Sequence, residues 1–358
     1  MRSVGAIALF LFVLVLVITQ SPRLMDRVED TFSPDEEVVI HGPATGRVPN
    51  DGASARSVPK SELTIADLKL HALSLINEDR RIHGVEPVFM GTNNAAQSHA
   101  DDMLAGTYLG HWWMDGRKPY MVYSELGGDS YVSENAARSG FSQREYAEHC
   151  NEIRVRCEEV DPYDAIQNLQ HLMVYDDASS DWGHRDNIVN PGHRKVNIGV
   201  AYSDHFLALV QHFEGGSVTA FSSPSLEDGE LRLEARINEP DVRLHDAVVV
   251  HWEPVPQRRS TDSIEELKSY CVGGDFSEDC GDPVAVILPP PPEGHYYESL
   301  DSYDVVADRW TATNTRIEIV ADLGELAGSP GMYTVTLLRD TGSTFSAELL
   351  LQLTVPVE

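Results

Sequence analysis

Apolar residues recur at helical spacing along residues 64–84. Leu68, Leu70, His71, Leu73, Leu75 and Ile76 form one apolar face, Thr64 is a capping residue type and Gly84 a stop signal. The spacing predicts a helix there. A second is predicted over 93–104, with Ala95, Ala96, His99 and Met103 three and four apart and Asp101 and Asp102 facing outward, so His99 reads as a core histidine rather than a ligand. A third helical region is expected after Glu134. A fourth begins near Pro162 and turns Ile166, Leu169, Leu172 and Met173 inward. The polar stretch 142–164 reads as an insertion. Residues 196–202 and 206–213 are apolar and β-prone, parted by Ser203-Asp204-His205, the pattern of an antiparallel hairpin. Helices around a small antiparallel sheet place this first unit in the α+β class.

From about residue 218 the pattern changes. Strand-like runs occupy 231–237, 247–252, 284–288, 316–320, 332–338 and 345–354, and helical signal is confined to 263–270. Alternation in Arg316-Ile317-Glu318-Ile319 and a turn at Gly328-Ser329-Pro330-Gly331 argue for an all-β antiparallel sandwich, with residues 289–292 as a stiff polyproline loop. Pro330-Gly331-Met332-Tyr333-Thr334-Val335 resembles the penultimate strand of immunoglobulin-like modules. Such a module ordinarily spaces or adheres and has no chemistry of its own. At the other end, Arg2 precedes an apolar run over 4–18, the length of a secretory h-region. No small-x-small cleavage site follows, which leaves open a signal peptide or an uncleaved N-terminal membrane anchor over 1–20. The expected organisation continues with a disordered Pro-, Gly- and Ser-rich linker over 21–62, the first unit over 63–216 and the sandwich over 218–358.

The chain of 358 residues has 42% hydrophobic and 8% aromatic residues, enough for ordinary cores in two units. A formal net charge of −30 repels phosphate backbones and anionic lipid, so nucleic acid is excluded as a partner and membrane contact is confined to the N-terminal segment. The four cysteines fall into local pairs, Cys150 with Cys157 and Cys271 with Cys280, which suits disulfides in an exported chain. A zinc site on His149, Cys150 and Cys157 is the competing arrangement, and its spacing matches no common finger.

The chemistry-bearing residues are His111 in His111-Trp112-Trp113, Glu134 in Ser133-Glu134-Asn135, and His184 in Gly183-His184-Arg185-Asp186-Asn187-Ile188. Neutral imidazoles and a carboxylate are the usual ligands of zinc and its relatives, and three protein ligands leave a position open. The bland alternative is that these side chains hold loops together by hydrogen bonds. Gly192-His193-Arg194 echoes the later motif, but before a strand it reads as an exposed loop histidine. Trp112 and Trp113 either line a groove or divide between core and surface. There is no Gly-x-Ser-x-Gly, no His-Glu-x-x-His and no phosphate-binding glycine loop.

Taken in order, Asn77, Arg80 and Gly84, then Ala96-x-x-His99-x-x-x-Met103, His111 with Asp115-Gly116-Arg117-x-Pro119, Glu134-Asn135-Ala136, Gly183-His184-Arg185-x-Asn187-Ile188-x-Asn190-Pro191 and Ile198-Gly199-Val200 resemble the CAP superfamily. This is the group of cysteine-rich secretory proteins, antigen 5 and pathogenesis-related 1, here in its bacterial and archaeal extracellular branch (SCP-like). The resemblance spans roughly residues 64–215. It implies a three-layer α-β-α sandwich whose cleft gathers two histidines and two acidic residues that bind zinc in some members. His111, His184 and Glu134 match three of these. The second glutamate has no clear counterpart, and His171 and Asp176 are the candidates for its place.

The resulting expectation is an exported binding module of the extracellular space or cell surface. Its cleft holds Zn2+ or another divalent cation and takes a small-molecule, lipid, peptide or cell-envelope ligand. The rival is a metal-dependent hydrolase of peptide, cell-envelope or ester substrates with Glu134 as general base. A structural surface protein with a vestigial cleft is the third reading.

Overall fold

In a computed structural model of the chain, the described residues are 63–150, 155–267, 269–271, 280–340 and 348–358, together with the strand 38–40. The expected leader and most of the expected linker lie outside them. Among the described residues no helix is long and apolar enough to cross a membrane.

The first unit contains β1 (Val38–Ile40), α1 (Ile65–Ile82), β2 (Phe89–Met90), α2 (Ala95–Gly106), α3 (Pro119–Glu125), β3 (Val132–Gly140), α4 (Gln143–His149), β4 (Val155–Cys157), α5 (Pro162–Tyr175), α6 (Gly183–Val189), β5 (His193–Tyr202) and β6 (Phe206–Gly215). Thr64 caps α1 through a reciprocal bond with Asp67, a capping box. Strands β2, β5, β6 and β3 form a sheet in that order, antiparallel except for β2 with β5, while β1 pairs in parallel with β4.

Side-chain alternation along β5 and β6 creates two faces. Val196, Ile198, Val200, Leu207, Leu209 and Phe213 pack on Leu68, Ala72 and Ile76 of α1 and on Ile166, Leu169 and Met173 of α5. Ala201, Ala208 and Val210 pack on Ala96, Ala100 and Met103 of α2. The sheet therefore lies between helical layers, as expected of an α-β-α core. Gly199 permits the second contact, since a Cβ there would lie 1.9 Å from the Ala96 carbonyl oxygen. Gly199→Ala is expected to cost about 1–3 kcal/mol. Chemical denaturation checks this, and an unchanged midpoint would mean that α2 stands off the sheet.

Two local expectations are corrected. Residues after Glu134 form the edge strand β3 and not a helix, because register pairing with β6 outweighs the helix preference of Ala136-Ala137. Leu70 is exposed; Leu68 and Ile76 turn inward as expected, and Ala72 and Arg80 join them on the buried face of α1.

The second unit comprises β7 (Val218–Ala220), β8 (Ser225–Glu227), β9 (Glu230–Ile237), β10 (Leu244–Glu253), α7 (Thr261–Glu266), β11 (Asp282–Leu288), β12 (Asp304–Val306), β13 (Arg309–Ala312), β14 (Arg316–Asp322), β15 (Gly331–Arg339) and β16 (Glu348–Val357). One sheet runs β12-β11-β10-β15-β16; the other runs β13-β14-β9-β7, with β8 also on β9. Leu231, Leu233, Ile317 and Ile319 of one face Val248, Val250, Val335, Leu351 and Leu353 of the other across one core. Among the described residues the expected all-antiparallel pairing fails at β11 and β12, which run parallel.

The two units are fused. Trp113, Tyr120, Met121, Val122 and Tyr123 belong to the sandwich's own buried cluster, and the backbone N–H of Thr354 donates to Ser124 Oγ at 2.9 Å. Lys118, 2% exposed, forms a buried ion pair with Glu253, which also accepts from Tyr120. Cys150–Cys157 and Cys271–Cys280 are both disulfides, with Cα–Cα distances of 5.6 and 4.5 Å. Their thiolates are thereby withdrawn from the alternative zinc site on His149.

Candidate functional site

Edge strand β3 places Glu134 opposite His212 of β6, and both side chains fall on the α2 face of the sheet. His99 reaches the same point from the inner side of α2. Glu134 is 3% exposed. Its Oε2 accepts from His99 Nδ1 at 2.7 Å and from His212 Nε2 at 2.6 Å, and its Oε1 accepts from His111 Nδ1 at 2.8 Å. Burial opposes ionisation here, but the charge of His99 and the hydrogen bonds from His111, His212 and His99 outweigh it and hold the carboxyl well below its usual range. Trp113 stacks on His99 with ring centroids 3.9 Å apart, closing the inner side.

His99, Glu134 and His212 are also the group of described residues whose donor atoms converge within 4.8 Å. Two ligands of one tetrahedral zinc stand roughly 3.3 Å apart, from bond lengths of about 2.0 Å. Contacts of 2.6 and 2.7 Å fit shared protons instead.

His184 arrives from α6, and its Nδ1 meets Asp177 Oδ1 at 2.6 Å. Asp177 Oδ2 accepts from the backbone N–H groups of His184 and Arg185. Arg80, fully buried, fastens the end of α6 by donating to the carbonyls of Ile188 and Asn190 at 2.6 and 3.0 Å. An amide chain supports the other side: Gln170 donates to Asp79, Gln211 to Gln170, Asn135 to Gln211 and to the His184 carbonyl, and Asn187 to Asn135.

His111, Glu134 and His184 line one cleft of about 710 Å³, together with Asn135, Asn187 and Tyr270. Neither His171 nor Asp176 lines it: His171 rests against Tyr175 and Asp176 is exposed. The acidic partner of His184 is the next residue, Asp177. The chain leaves α5 at Tyr175, and the backbone turn that follows buries only the second of the two aspartates. His193 is buried and not an exposed loop residue; its Nδ1 meets the Asn187 carbonyl at 2.9 Å, and burial lowers its pKa to about 4. His212 escapes sequence reasoning, although a polar Gln211-His212 pair inside an apolar strand is its signal. Tyr270 had no such signal.

Solved structures similar to this chain include an extracellular protein containing an SCP domain from Bacillus anthracis str. Ames, 19% identical over 43% of this chain and 44% of that one, with a TM-score of 0.29. Another is the CAP domain of Enterococcal PrgA, 10% identical over 43% of this chain and 64% of that one, with a TM-score of 0.25. The chain therefore spans less than two thirds of the length of either. No family model and no curated protein matches it.

Proposed function

We propose that the chain is an exported CAP-like binding protein of the extracellular space or cell surface, fused to an immunoglobulin-like sandwich. In this reading its cleft holds a divalent cation, zinc first, on the Nε2 atoms of His111 and His184. The observation that carries the reading is the shared state of the two imidazoles. Each gives Nδ1 to a buried carboxylate, Glu134 for one and Asp177 for the other, which leaves Nε2 as its remaining ring nitrogen, and both residues line the cleft. A carboxylate behind a histidine sets the tautomer and raises ligand basicity, as it does behind zinc-bound histidines generally. Two protein ligands leave positions for water and a ligand oxygen, which a bound zinc ion would polarise.

Glu134 orients His111 in this reading and is not itself a ligand, in contrast to the expectation from sequence. Both its oxygens are engaged by imidazoles, and a carboxyl held so far toward ionisation is a weak general base, which disfavours the hydrolase. The motifs, the apolar leader and the two disulfides support export.

Equilibrium dialysis of the full chain against Zn2+ is the test. Wild type is expected to take up one ion per chain, His111→Ala and His184→Ala to lose stoichiometric uptake, and Asp177→Asn to bind about 10- to 100-fold more weakly. Substoichiometric uptake by wild type from excess zinc would overturn the reading.

A further inference from the structure

One wall of the cleft comes from the second unit. α7 drives Ile264, fully buried, into the cluster of Ala96, Ala100, Met103, Tyr108 and Trp112 beneath the site. Beyond α7, Leu267, Ser269 and Tyr270 form a strap that lines the cleft, and Trp112 Nε1 donates to the Ser269 carbonyl at 3.0 Å; within α7, Glu265 Oε1 accepts from the Leu109 N–H at 3.2 Å. Glu265, Leu267, Ser269 and Tyr270 thus line the same cavity as His111, Glu134 and His184. The Cys271–Cys280 disulfide follows directly and ties the end of this strap.

Tyr270 is 7% exposed, and its ring lies 4.9 Å from that of His111. β3 is the edge of its sheet, so the backbone groups of Glu134 that do not face β6 need other partners. The carbonyl accepts from Asn187, and the N–H donates to the Tyr270 hydroxyl oxygen. A phenol that accepts still has a proton to give. Among the described residues nothing accepts it.

We propose that Tyr270 is a ligand-contacting residue whose hydroxyl donates a hydrogen bond to an oxygen of the molecule bound in the cleft, making the site a joint product of both units. The inference rests on the cation reading for its ligand class. A ligand with two adjacent oxygens, a carboxylate or its hydroxamate analogue, can place one beside the His111–His184 pair and the other on the phenol. The neighbouring Leu109, Ala136 and Leu267 offer apolar surface to its carbon chain.

The test uses the full chain loaded with Co2+, titrated with acetohydroxamate and followed by visible absorption, in wild type and Tyr270→Phe. Both are expected to take up cobalt equally, with the variant binding acetohydroxamate about 3- to 10-fold more weakly, the worth of one neutral hydrogen bond. Equal affinity at equal loading would overturn the inference and leave the cation reading standing. If wild type takes up no cobalt, the cation reading fails by itself. Tyr270 is then judged on metal-free protein carrying [ζ-13C]tyrosine, with Tyr270→Phe assigning the signal. A shift of that signal on adding acetohydroxamate supports ligand contact, and an unmoved signal refutes it. If the phenylalanine variant does not fold, the Tyr270 signal is assigned instead as the one that His111→Ala shifts, since that ring lies 4.9 Å away.

Discussion

Glu134→Gln is expected to destabilise the chain by about 3–5 kcal/mol at neutral pH, the usual cost of breaking a buried ionic cluster on one side. Three imidazole N–H groups point at this carboxylate. Glutamine would offer them one oxygen and one NH2, setting donor against donor in a place that water does not reach. The loss should depend on pH in a particular direction. A carboxyl whose folded pKa lies below its ordinary value of 4.5 contributes stability that is fully present above 4.5 and disappears as pH falls through the folded value. The gap between wild type and variant should therefore be constant from neutral pH to about 5 and close on further acidification. His193 acts in a different window. Its folded pKa of about 4 lies below its ordinary 6.5, so the stability of keeping it neutral is complete above 6.5 and lost as pH falls from there toward 4, equally in both proteins. Urea midpoints from pH 7 to 3.5 separate the two effects. A gap that widens in acid would mean that Glu134 is protonated in the native state.

A loss of similar size, about 3–5 kcal/mol, is expected for Lys118→Met, which strands the Glu253 carboxylate, 7% exposed, between the two units. The ammonium also lies 4.5 Å from the centre of the Trp112 ring, which Arg259 approaches at the same distance, so removing it loosens the packing beneath the cleft strap. The double variant Lys118→Met/Glu253→Leu should recover most of the loss, because replacing both partners by apolar groups removes the stranded charge. Calorimetry should show one cooperative transition for wild type, since Trp113 and Tyr120 of the first unit are buried in the core of the second. A Lys118→Met loss below about 1 kcal/mol, as for an exposed pair, would show that water reaches the ion pair.

Much of the first unit was legible in the chain because its signals are local. Thr64 and Asp67 cap a helix from three residues apart, Ala96, His99 and Met103 share a face by spacing, and Ser203-Asp204-His205 breaks two apolar runs into a hairpin. Glu134, His111 and His184 could be named as a set because each stands in a short motif. The strand after Glu134 is not legible in sequence because its alanines carry no strand preference, and β6 alongside decides the conformation. Sequence offers His171 or Asp176 near the place where the structure sets Asp177 against His184, since a one-residue displacement at a helix end exchanges an exposed side chain for a buried one.

Residue order by itself determined which side chains exist to do chemistry and which helices and hairpins carry them, because capping, periodicity and turn formation are settled within a few positions. Only the tertiary structure decided what those side chains became. Strand register brought His212 against Glu134, the turn after α5 put Asp177 behind His184, and the fusion of the two units laid Tyr270, 136 positions along the chain, on the backbone of Glu134. Hydrogen bonds reach about 3 Å in space however far apart their partners stand in sequence, so nothing short of the packed chain could select them.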